Sequence, residues 1–285
     1  MAQTKHDIQS LLTTAGARPN RRFGQNFMID ANLVRIVAEA GMISPGDLVI
    51  EIGPGTGTLT EELLARGANV LAVEIDRGLA ELVRGQFAGN EKFRLIEADA
   101  LAGKHLLCNE LLEAIAAAKS AGQTVRLVAN LPYNIASPLT IELLIAGVDL
   151  LAFTVQREVA DRLRAQPHSA EYGTLSIMIQ LLSKVEILRT LPPQAFWPMP
   201  NVESSLVRLT RDDRLGKSAA DFGSFVQRVF SSRRKTMRKA LANAGFAADE
   251  VLPRIGIDPQ DRPEAISPGD FFRLFEEISQ GRNDE

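Results

Sequence analysis

The first two thirds of the chain alternate between short apolar runs and stretches in which apolar residues recur at helical spacing. Five apolar runs bounded by Gly, Pro or acidic residues predict buried strands over Leu48–Ile52, Val70–Glu74, Phe93–Glu97, Arg126–Asn130 and Leu150–Val155. Helical spacing predicts helices over Asn32–Ala40, Leu59–Ala65 and Leu106–Ala118. Strands that alternate with helices predict an α/β fold, in which helices cover both faces of a parallel sheet. Ligands of such folds bind beyond the carboxyl ends of the strands.

The pattern changes after residue 209. A polar stretch over Arg211–Gly216 is typical of a linker, and the residues after it form helical stripes without a strand pattern. The last helix is predicted over Phe271–Ile278. We therefore expect an α/β domain over residues 1–212 and a smaller all-helical domain over residues 213–285.

The composition excludes several classes of protein. Of 285 residues, 45% are hydrophobic and 24% are charged, which is ordinary for a soluble globular protein. No apolar stretch reaches the roughly 18 residues of a membrane helix, and residues 1–10 lack the apolar core of a secretory signal. A single cysteine, Cys108, and three scattered histidines argue against a disulfide framework and a zinc site. We therefore expect a cytoplasmic protein without a metal.

Charge is distributed unevenly along the chain. The net charge is −3, yet residues 208–240 carry ten basic and three acidic side chains, a local charge of +7. A second basic patch contains Arg18, Arg21 and Arg22. Such asymmetry indicates a polyanionic partner bound by one face. The charge pattern alone leaves open the alternative of ordinary solvated helices.

The first predicted strand leads into a glycine-rich loop, Gly53–Thr58, which a helix follows. Its glycines allow a ligand to approach the backbone closely, although a tight turn without a ligand would use the same residues. The loop does not match the dinucleotide-binding fingerprint, because Thr58 occupies the position that requires glycine. It does not match a phosphate-binding loop either, because no Gly-Lys-Ser/Thr follows it. Because Glu51 precedes the loop, a cationic ligand suits it better than a diphosphate.

Two further acids follow the next two predicted strands. Glu74 lies 17 positions after Gly57, where an acid accepts both hydroxyls of a ribose. Asp99 can accept a hydrogen bond from an adenine amine. Together with the glycine loop, these acids resemble the S-adenosylmethionine (AdoMet) site of Rossmann-like methyltransferases. The pattern indicates the class of cofactor and is silent on the substrate.

The fourth predicted strand ends in a short motif, Asn130-Leu131-Pro132-Tyr133. An adenine amine is a poor nucleophile because its lone pair is delocalised into the ring. The side-chain oxygen of Asn130 and a backbone carbonyl of the next two residues can accept both amine protons and draw the nitrogen towards tetrahedral geometry. Tyr133 can stack on a flipped base. The motif therefore predicts methylation of an amine, and the alternative is a simple turn at the sheet edge.

Seven blocks of sequence lie in order along the chain. They are Arg22–Phe27, Glu51–Gly57, Asn130–Tyr133, Gln156–Ala160, Tyr172–Ser176, Pro198–Ser205 and Phe230–Thr236. Over Arg21–Phe275 the chain resembles the bacterial 16S ribosomal RNA adenine dimethyltransferases of the KsgA type, relatives of the erythromycin-resistance methyltransferases. The resemblance implies a Rossmann-like AdoMet-dependent methyltransferase domain with a smaller C-terminal all-helical domain.

The resemblance also implies roles for individual residues. Those implied for AdoMet binding are Asn26, Met28 (in place of the commoner leucine), Gly53, Gly55, Glu74, Asp99 and Asn130. Those implied at the methyl-transfer site are Asn130, Leu131, Pro132, Tyr133 and Phe196, with Phe196 packing on the target base opposite Tyr133. Those implied for RNA binding are Arg21, Arg22, Arg233, Arg234 and Lys235.

By this resemblance, the chain dimethylates two adjacent adenosines in a hairpin loop near the 3′ end of 16S rRNA, within the assembling small ribosomal subunit. The sequence shows no coiled-coil heptads, so a monomer is expected. One alternative is the same chemistry on large-subunit rRNA, against which Leu131 and the long basic helical domain argue. The other is an RNA-binding assembly factor without catalysis, against which the intact Glu74, Asp99 and Asn130 argue.

Overall fold

A computed structural model describes residues 3–14, 16–20, 24–103 and 106–281. Its internal contacts divide the chain into two units. The first consists of Met1–Ala160 and Glu186–Arg211, and the second consists of Asp161–Val185 and Asp212–Glu285. Within the described residues, no helix is long and apolar enough to cross a membrane.

The two units differ from the predicted domains in one respect. The boundary after Arg211 lies one residue from the predicted one, but Asp161–Val185 belongs to the second unit and not to the first. The physical reason is packing, because the helix over Thr174–Leu182 contacts the helices over Ala219–Phe230 and Pro268–Gly281. The sequence therefore did not show that Asp161–Val185 belongs to the helical unit.

The strands are short, and most of them belong to one sheet. Their bounds are β1 Phe27–Met28, β2 Leu48–Ile52, β3 Asn69–Glu74, β4 Phe93–Glu97, β5 Leu101–Gly103, β6 Leu106–Leu107, β7 Val125–Asn130, β8 Leu150–Gln156, β9 Ser183–Leu191, β10 Phe196–Trp197 and β11 Ser204–Arg211. The five predicted strands correspond to β2, β3, β4, β7 and β8. Each is present within one residue of its predicted bounds.

Twelve α-helices are seen in the part of the chain that the structure describes. They are α1 Lys5–Thr14, α2 Ala31–Ala40, α3 Thr58–Ala65, α4 Arg77–Gln86, α5 Asn109–Ser120, α6 Ala136–Ile145, α7 Arg157–Arg164, α8 Thr174–Leu182, α9 Ala219–Phe230, α10 Met237–Asn243, α11 Ala248–Ile255 and α12 Pro268–Gly281. The helix predicted from Leu106 begins instead at Asn109, because Leu106 and Leu107 pair with Gly103 and Leu101 in a small two-stranded sheet.

The main sheet has seven strands in the order β4-β3-β2-β7-β8-β11-β9. The five predicted strands run parallel to one another, whereas β11 runs antiparallel to β8. The sheet is therefore mixed and not wholly parallel as predicted. Because β2, β3, β4 and β7 are parallel, their carboxyl ends meet at one edge of the sheet. The residues that follow them are thereby brought together although the sequence separates them widely.

Burial explains why the central strands form as they do. Every residue of Leu150–Val155 in β8 is buried, and this run is continuous because helices cover both faces of the sheet. Thr154 is the polar member of that run. One core cluster combines Val37 of α2, Val49 of β2 and Leu63 of α3. Burial of each such side chain stabilises the fold by about 1.5–3 kcal/mol.

The helices of the second unit pack around aromatic side chains. Phe222 of α9 contacts Phe272 and Phe275 of α12 edge to face, with ring centroids 5.5 Å apart in both pairs. Phe225 contacts Phe246 at 5.3 Å. Aromatic pairs in this geometry add about 0.5–1.5 kcal/mol to the burial of their area. The helical spacing of Phe222 and Phe225 predicted α9, and the mutual packing of these aromatic rings forms the core.

Candidate active site

The glycine loop joins β2 to α3 in a left-handed backbone conformation. The φ angle is +70° at Gly53, +60° at Gly55 and +78° at Gly57, a region that strongly favours glycine. A Cβ atom at Gly55 would lie only 2.9 Å from the ring of Phe27. The loop therefore requires glycine both for its backbone conformation and for its packing, and Gly53 and Gly55 also line the adjacent cavity.

A cavity opens at the carboxyl ends of β2, β3, β4 and β7. The predicted residues that line it are Asn26, Met28, Gly53, Gly55, Glu74, Asp99, Asn130, Leu131, Pro132 and Tyr133. Glu51 also lines the cavity, and no Lys or Arg does so among the described residues. The cavity walls are therefore acidic, which suits a ligand that carries positive charge.

Glu51 and Glu74 are buried in the wall of this cavity. The hydroxyl of Thr60 donates to Glu51 at 2.6 Å, and the backbone amides of Asp76 and Gly55 donate to Glu74 at 2.9 and 3.4 Å. Burial is the main cause that raises the pKa of Glu51 to about 8 and the pKa of Glu74 to about 7; the hydrogen bonds oppose it. A cation in the cavity would favour the ionised form of both carboxyl groups.

Two further predicted residues reach the cavity from loops. Asp99 follows β4 and lines the cavity, and its Oδ1 accepts the backbone amide of Leu101 at 2.9 Å. Asn26 precedes β1, and its side chain donates to the carbonyl of Gly24 at 3.1 Å. Both side chains are therefore held in place by short-range hydrogen bonds.

Asn130 is the last residue of β7, and its side-chain amide is held on both sides. The Nδ2 atom donates to the backbone carbonyl of Asn26 at 2.5 Å. The Oδ1 atom accepts a hydrogen bond from the hydroxyl of Thr154. A carbonyl oxygen has two lone pairs, so one of them remains for a ligand proton.

The residues after Asn130 supply a second acceptor and an aromatic ring. The carbonyl of Pro132 already accepts the backbone amide of Ile135 at 3.2 Å, whereas the carbonyl of Leu131 accepts no hydrogen bond from the described residues. Leu131 is therefore the better second acceptor of the two carbonyls. The hydroxyl of Tyr133 lies 2.8 Å from that of Ser204, and burial raises the pKa of Tyr133. This hydrogen bond fixes the orientation of the ring.

Phe196 differs from its predicted position. It pairs with Met28 between β10 and β1, is 1% exposed in the main core cluster, and is not among the residues that line the cavity. The expected stacking of Phe196 on the target base is not supported by this arrangement, because a ring packed in the core has no free face for a base. Phe27 and Trp197, the neighbouring pair in the same ladder, stack with centroids 6.3 Å apart.

Three residues that support the site were not predicted from the sequence. Thr60, Thr154 and Ser204 each bond to a residue that lines the cavity, and none of the three lines it. Ser204 lies within one of the matched sequence blocks. Thr154 carries a different signal, since it is a single polar residue within a run of otherwise apolar residues. A buried hydroxyl needs a hydrogen-bond partner, and this requirement could have pointed to it.

Arg233 in the second unit has a structural role that the sequence did not predict. Its Nε donates to the carboxylate of Glu264 at 2.8 Å, and its Nη2 donates to the backbone carbonyl of Ala170 at 3.0 Å. These bonds tie together two segments of the second unit that are distant in sequence. These bonds give Arg233 a structural role through Nε and Nη2, while its side chain stays 38% exposed, so the predicted contact with RNA phosphate remains a prediction.

The neighbouring basic residues are placed differently. Arg234, Lys235 and Lys239 are exposed and form no ion pair with the other described residues. Their charges are therefore available to an anionic partner. Arg21 and Arg22, which were also predicted to contact RNA, lie outside the described residues.

Comparison with known proteins shows the family. The profile of the family described as ribosomal RNA adenine dimethylase matches residues 16–280. The ribosomal RNA small subunit methyltransferase A of Clostridium perfringens is 36% identical over 274 residues, 93% of each chain. That of Streptomyces coelicolor is 38% identical over 283 residues, 95% of this chain and 94% of the relative. Among solved structures, the 23S rRNA methyltransferase ErmE is 25% identical with a TM-score of 0.62, covering 90% of this chain and 100% of that chain.

The fold and the site define an S-adenosylmethionine-dependent methyltransferase, and the predicted fold class is confirmed. The chain belongs to the ribosomal RNA adenine dimethylase family. The cavity fits the methyl donor of that family, because its walls hold Glu51, Glu74 and Asp99 and no basic side chain among the described residues. The positive sulfonium and ammonium groups of AdoMet offset the cost of ionising buried carboxyl groups.

Proposed function

We propose that this methyltransferase adds two methyl groups to N6 of each of two adjacent adenosines in the 3′-terminal hairpin loop of 16S rRNA. The observation that carries the proposal is the position of Asn130 and Tyr133 at the edge of an acidic cavity, where an amine and a cationic methyl donor would meet. The relatives with 36–38% identity, which are named as small-subunit methyltransferases, support the choice of RNA.

The residues at the cavity edge account for the chemistry by orientation and electrostatics. When bound, AdoMet supplies an electrophilic methyl group. Asn130 Oδ1 and the carbonyl of Leu131 each accept a hydrogen bond from one N–H of the target amine, which holds the nitrogen and weakens its conjugation with the ring. Tyr133, fixed by Ser204, stacks on the extruded base, a contact worth about 1–3 kcal/mol. The substrate base must therefore leave its stack to react.

RNA binding is assigned to exposed basic residues. Arg234 and Lys235 contact phosphates in this proposal, and Arg21 and Arg22 remain candidates on sequence grounds. Such contacts recognise backbone and shape, so they set affinity and orientation and do not identify the sequence bound. The choice of the two adenosines then depends on the assembling small subunit. We further propose that the protein acts as a monomer in the cytoplasm.

Mass spectrometry of ribosomal RNA tests the proposed substrate. A strain that lacks this chain should contain 16S rRNA without dimethyladenosine in the 3′-terminal loop, and small subunits from that strain should accept label from AdoMet when the purified chain is added. Unlabelled 16S rRNA together with loss of methylation from 23S rRNA would overturn the proposal.

Methylation of large-subunit rRNA is the second candidate, because ErmE, a 23S rRNA methyltransferase, has a similar structure. Its identity of 25% is lower than the 36–38% of the small-subunit relatives, so this candidate ranks below the first. A non-catalytic assembly factor is tested separately by calorimetry. Absence of AdoMet binding would favour that role, and we expect clear binding by the acidic cavity.

A further inference from the structure

The side chain of Asn130 has one permitted orientation. Its Nδ2 faces the backbone carbonyl of Asn26, and its Oδ1 faces the hydroxyl of Thr154. A backbone carbonyl can only accept, so the nitrogen of the amide must face Asn26. The oxygen is then directed towards Thr154, whose hydroxyl must act as the donor. If the amide were flipped, Oδ1 of Asn130 would face the backbone carbonyl oxygen of Asn26, and neither oxygen could donate a hydrogen bond.

Thr154 is placed to serve Asn130 and no ligand. The two residues are paired in register on the parallel strands β7 and β8. Thr154 is 0% exposed and does not line the cavity, whereas Asn130 does. The hydroxyl therefore cannot reach a substrate, and it donates its one hydrogen bond to Asn130 Oδ1.

We propose that Thr154 is a positioning residue for methyl transfer, which holds the Asn130 carbonyl so that its remaining lone pair faces the target amine. This inference rests on the proposed role of Asn130. Without the hydroxyl, the amide oxygen keeps two free lone pairs and the side chain loses one of its two anchors. The amine would then be held by an acceptor whose direction is less well defined, and small errors of orientation lower kcat more than they weaken ground-state binding.

The test compares Thr154→Val, which removes the hydroxyl at similar volume, with Thr154→Ser, which keeps it. We expect Thr154→Val to lower kcat roughly 2- to 10-fold, the loss of one neutral hydrogen bond. The KM for small subunits should be unchanged, and Thr154→Ser should restore kcat. The matched control is Thr140→Val, because Thr140 is also buried and its hydroxyl bonds to Ser137, away from the cavity lining.

A double-mutant cycle separates positioning from a general structural role. In an Asn130→Ala background, Thr154→Val should cause no further loss of kcat, because its effect passes through the Asn130 oxygen. If Thr154→Val is too unstable to purify, Thr154→Cys, a much weaker donor, carries the same comparison.

Two outcomes would overturn the inference while the wild-type chain still methylates 16S rRNA. One is an unchanged kcat in Thr154→Val, and the other is an equal loss in the Asn130→Ala background. Failure of the proposed function looks different, since the wild-type chain itself would then leave small subunits unlabelled.

Discussion

Short motifs predicted functional roles for two segments, the corner Asn130–Tyr133 and the basic segment Arg233–Lys235. The side chains of the two segments are placed differently in the folded protein. All four residues of the corner line the cavity that was expected at the end of β7. Of the three basic residues, Arg234 and Lys235 are exposed, whereas Arg233 is bonded to Glu264 and Ala170 within the fold.

A motif fixes the position of a side chain only where the backbone around it is itself fixed by the fold. The corner follows a buried strand in a parallel sheet, so the backbone direction alone brings it to the ligand edge. The three consecutive basic residues follow α9 and belong to no strand. The direction of each long side chain therefore depends on its local contacts and not on the backbone of a sheet. Neighbouring residues of the same charge therefore need not make the same kind of contact in the folded protein.

The largest effect is expected at the corner. Asn130→Ala should lower kcat by roughly 10²–10³, the magnitude found when one preorganised hydrogen-bonding group is removed from an active site. Turnover of labelled small subunits measures it, and a thermal melt shows that the variant is folded. Asn69→Ala is the matched control, because Asn69 lies at the opposite end of β3 and bonds to Gly46. Near-normal turnover in Asn130→Ala would remove this residue from the mechanism.

A second prediction concerns the exposed part of the basic segment. Arg234→Ala with Lys235→Ala should weaken RNA binding by about tenfold at moderate salt. The slope of log affinity against log salt should flatten by about 1.4–1.8, which corresponds to two lost phosphate contacts. Binding titrations at several salt concentrations measure the slope. Arg77→Ala is the control, since Arg77 is an exposed arginine paired with Glu81 in the first unit. An unchanged slope would mean that these two side chains do not contact phosphate.

Arg233 should behave in the opposite way. Arg233→Ala is expected to lower the free energy of unfolding by about 1–2 kcal/mol, a value discounted for the 38% exposure of its side chain. The salt slope of RNA binding by the folded variant should stay as in the wild type. Chemical denaturation and the same titrations provide the two measurements. A flattened slope with unchanged stability would reverse the assignment of Arg233 and remove the contrast within the segment.

The smallest effect concerns pH and the acidic cavity. Burial raises the pKa of Glu74 to about 7 and the pKa of Glu51 to about 8, so near neutral pH the free protein holds Glu51 mostly protonated and Glu74 about half protonated. A cationic ligand favours their ionised forms, so binding releases protons and AdoMet affinity should rise about three- to tenfold from pH 6 to pH 7.5. Calorimetry in two buffers of different ionisation enthalpy detects the released protons.

Glu74→Gln should reduce this pH dependence, while Glu113→Gln, a change at an exposed residue of α5, should leave it intact. An affinity that falls as the pH rises through this window would contradict the assignment of the carboxyl groups to a cation. The same raised pKa values also have a consequence for the free protein. Its stability should decrease as the pH rises from about 5 to about 8, because the unfolded chain releases these two protons at lower pH than the folded protein does.

The sequence predicted the central part of the fold well. The five parallel strands were found within one residue because their apolar runs are continuous and their ends are marked by Gly, Asn or acidic residues. The strands β9 and β11 were not predicted. In β9 only Ser183 and Leu191, its two end residues, are buried, so its apolar pattern is weak. An alternation of strands and helices predicts parallel neighbours, so it did not predict that β11 pairs with β8 in the antiparallel direction.

The candidate site shows the same division. Gly53, Glu74, Asp99 and Asn130 were identified in advance because each follows or ends a strand at the ligand edge. Phe196 was placed wrongly with respect to the cavity, since an aromatic residue in a recognisable block can equally serve the core. Thr154 became visible only when the pairing of β7 with β8 set it beside Asn130.

Local backbone preference and periodic burial were enough to predict the five parallel strands, the glycine loop, the acids and the Asn130 corner from the amino-acid sequence. The pairing of polar groups, as between Thr154 and Asn130 or Arg233 and Glu264, depended instead on how the chain packs. Hydrogen bonds and ion pairs act over a few ångströms, and two residues reach that distance only after the chain has packed.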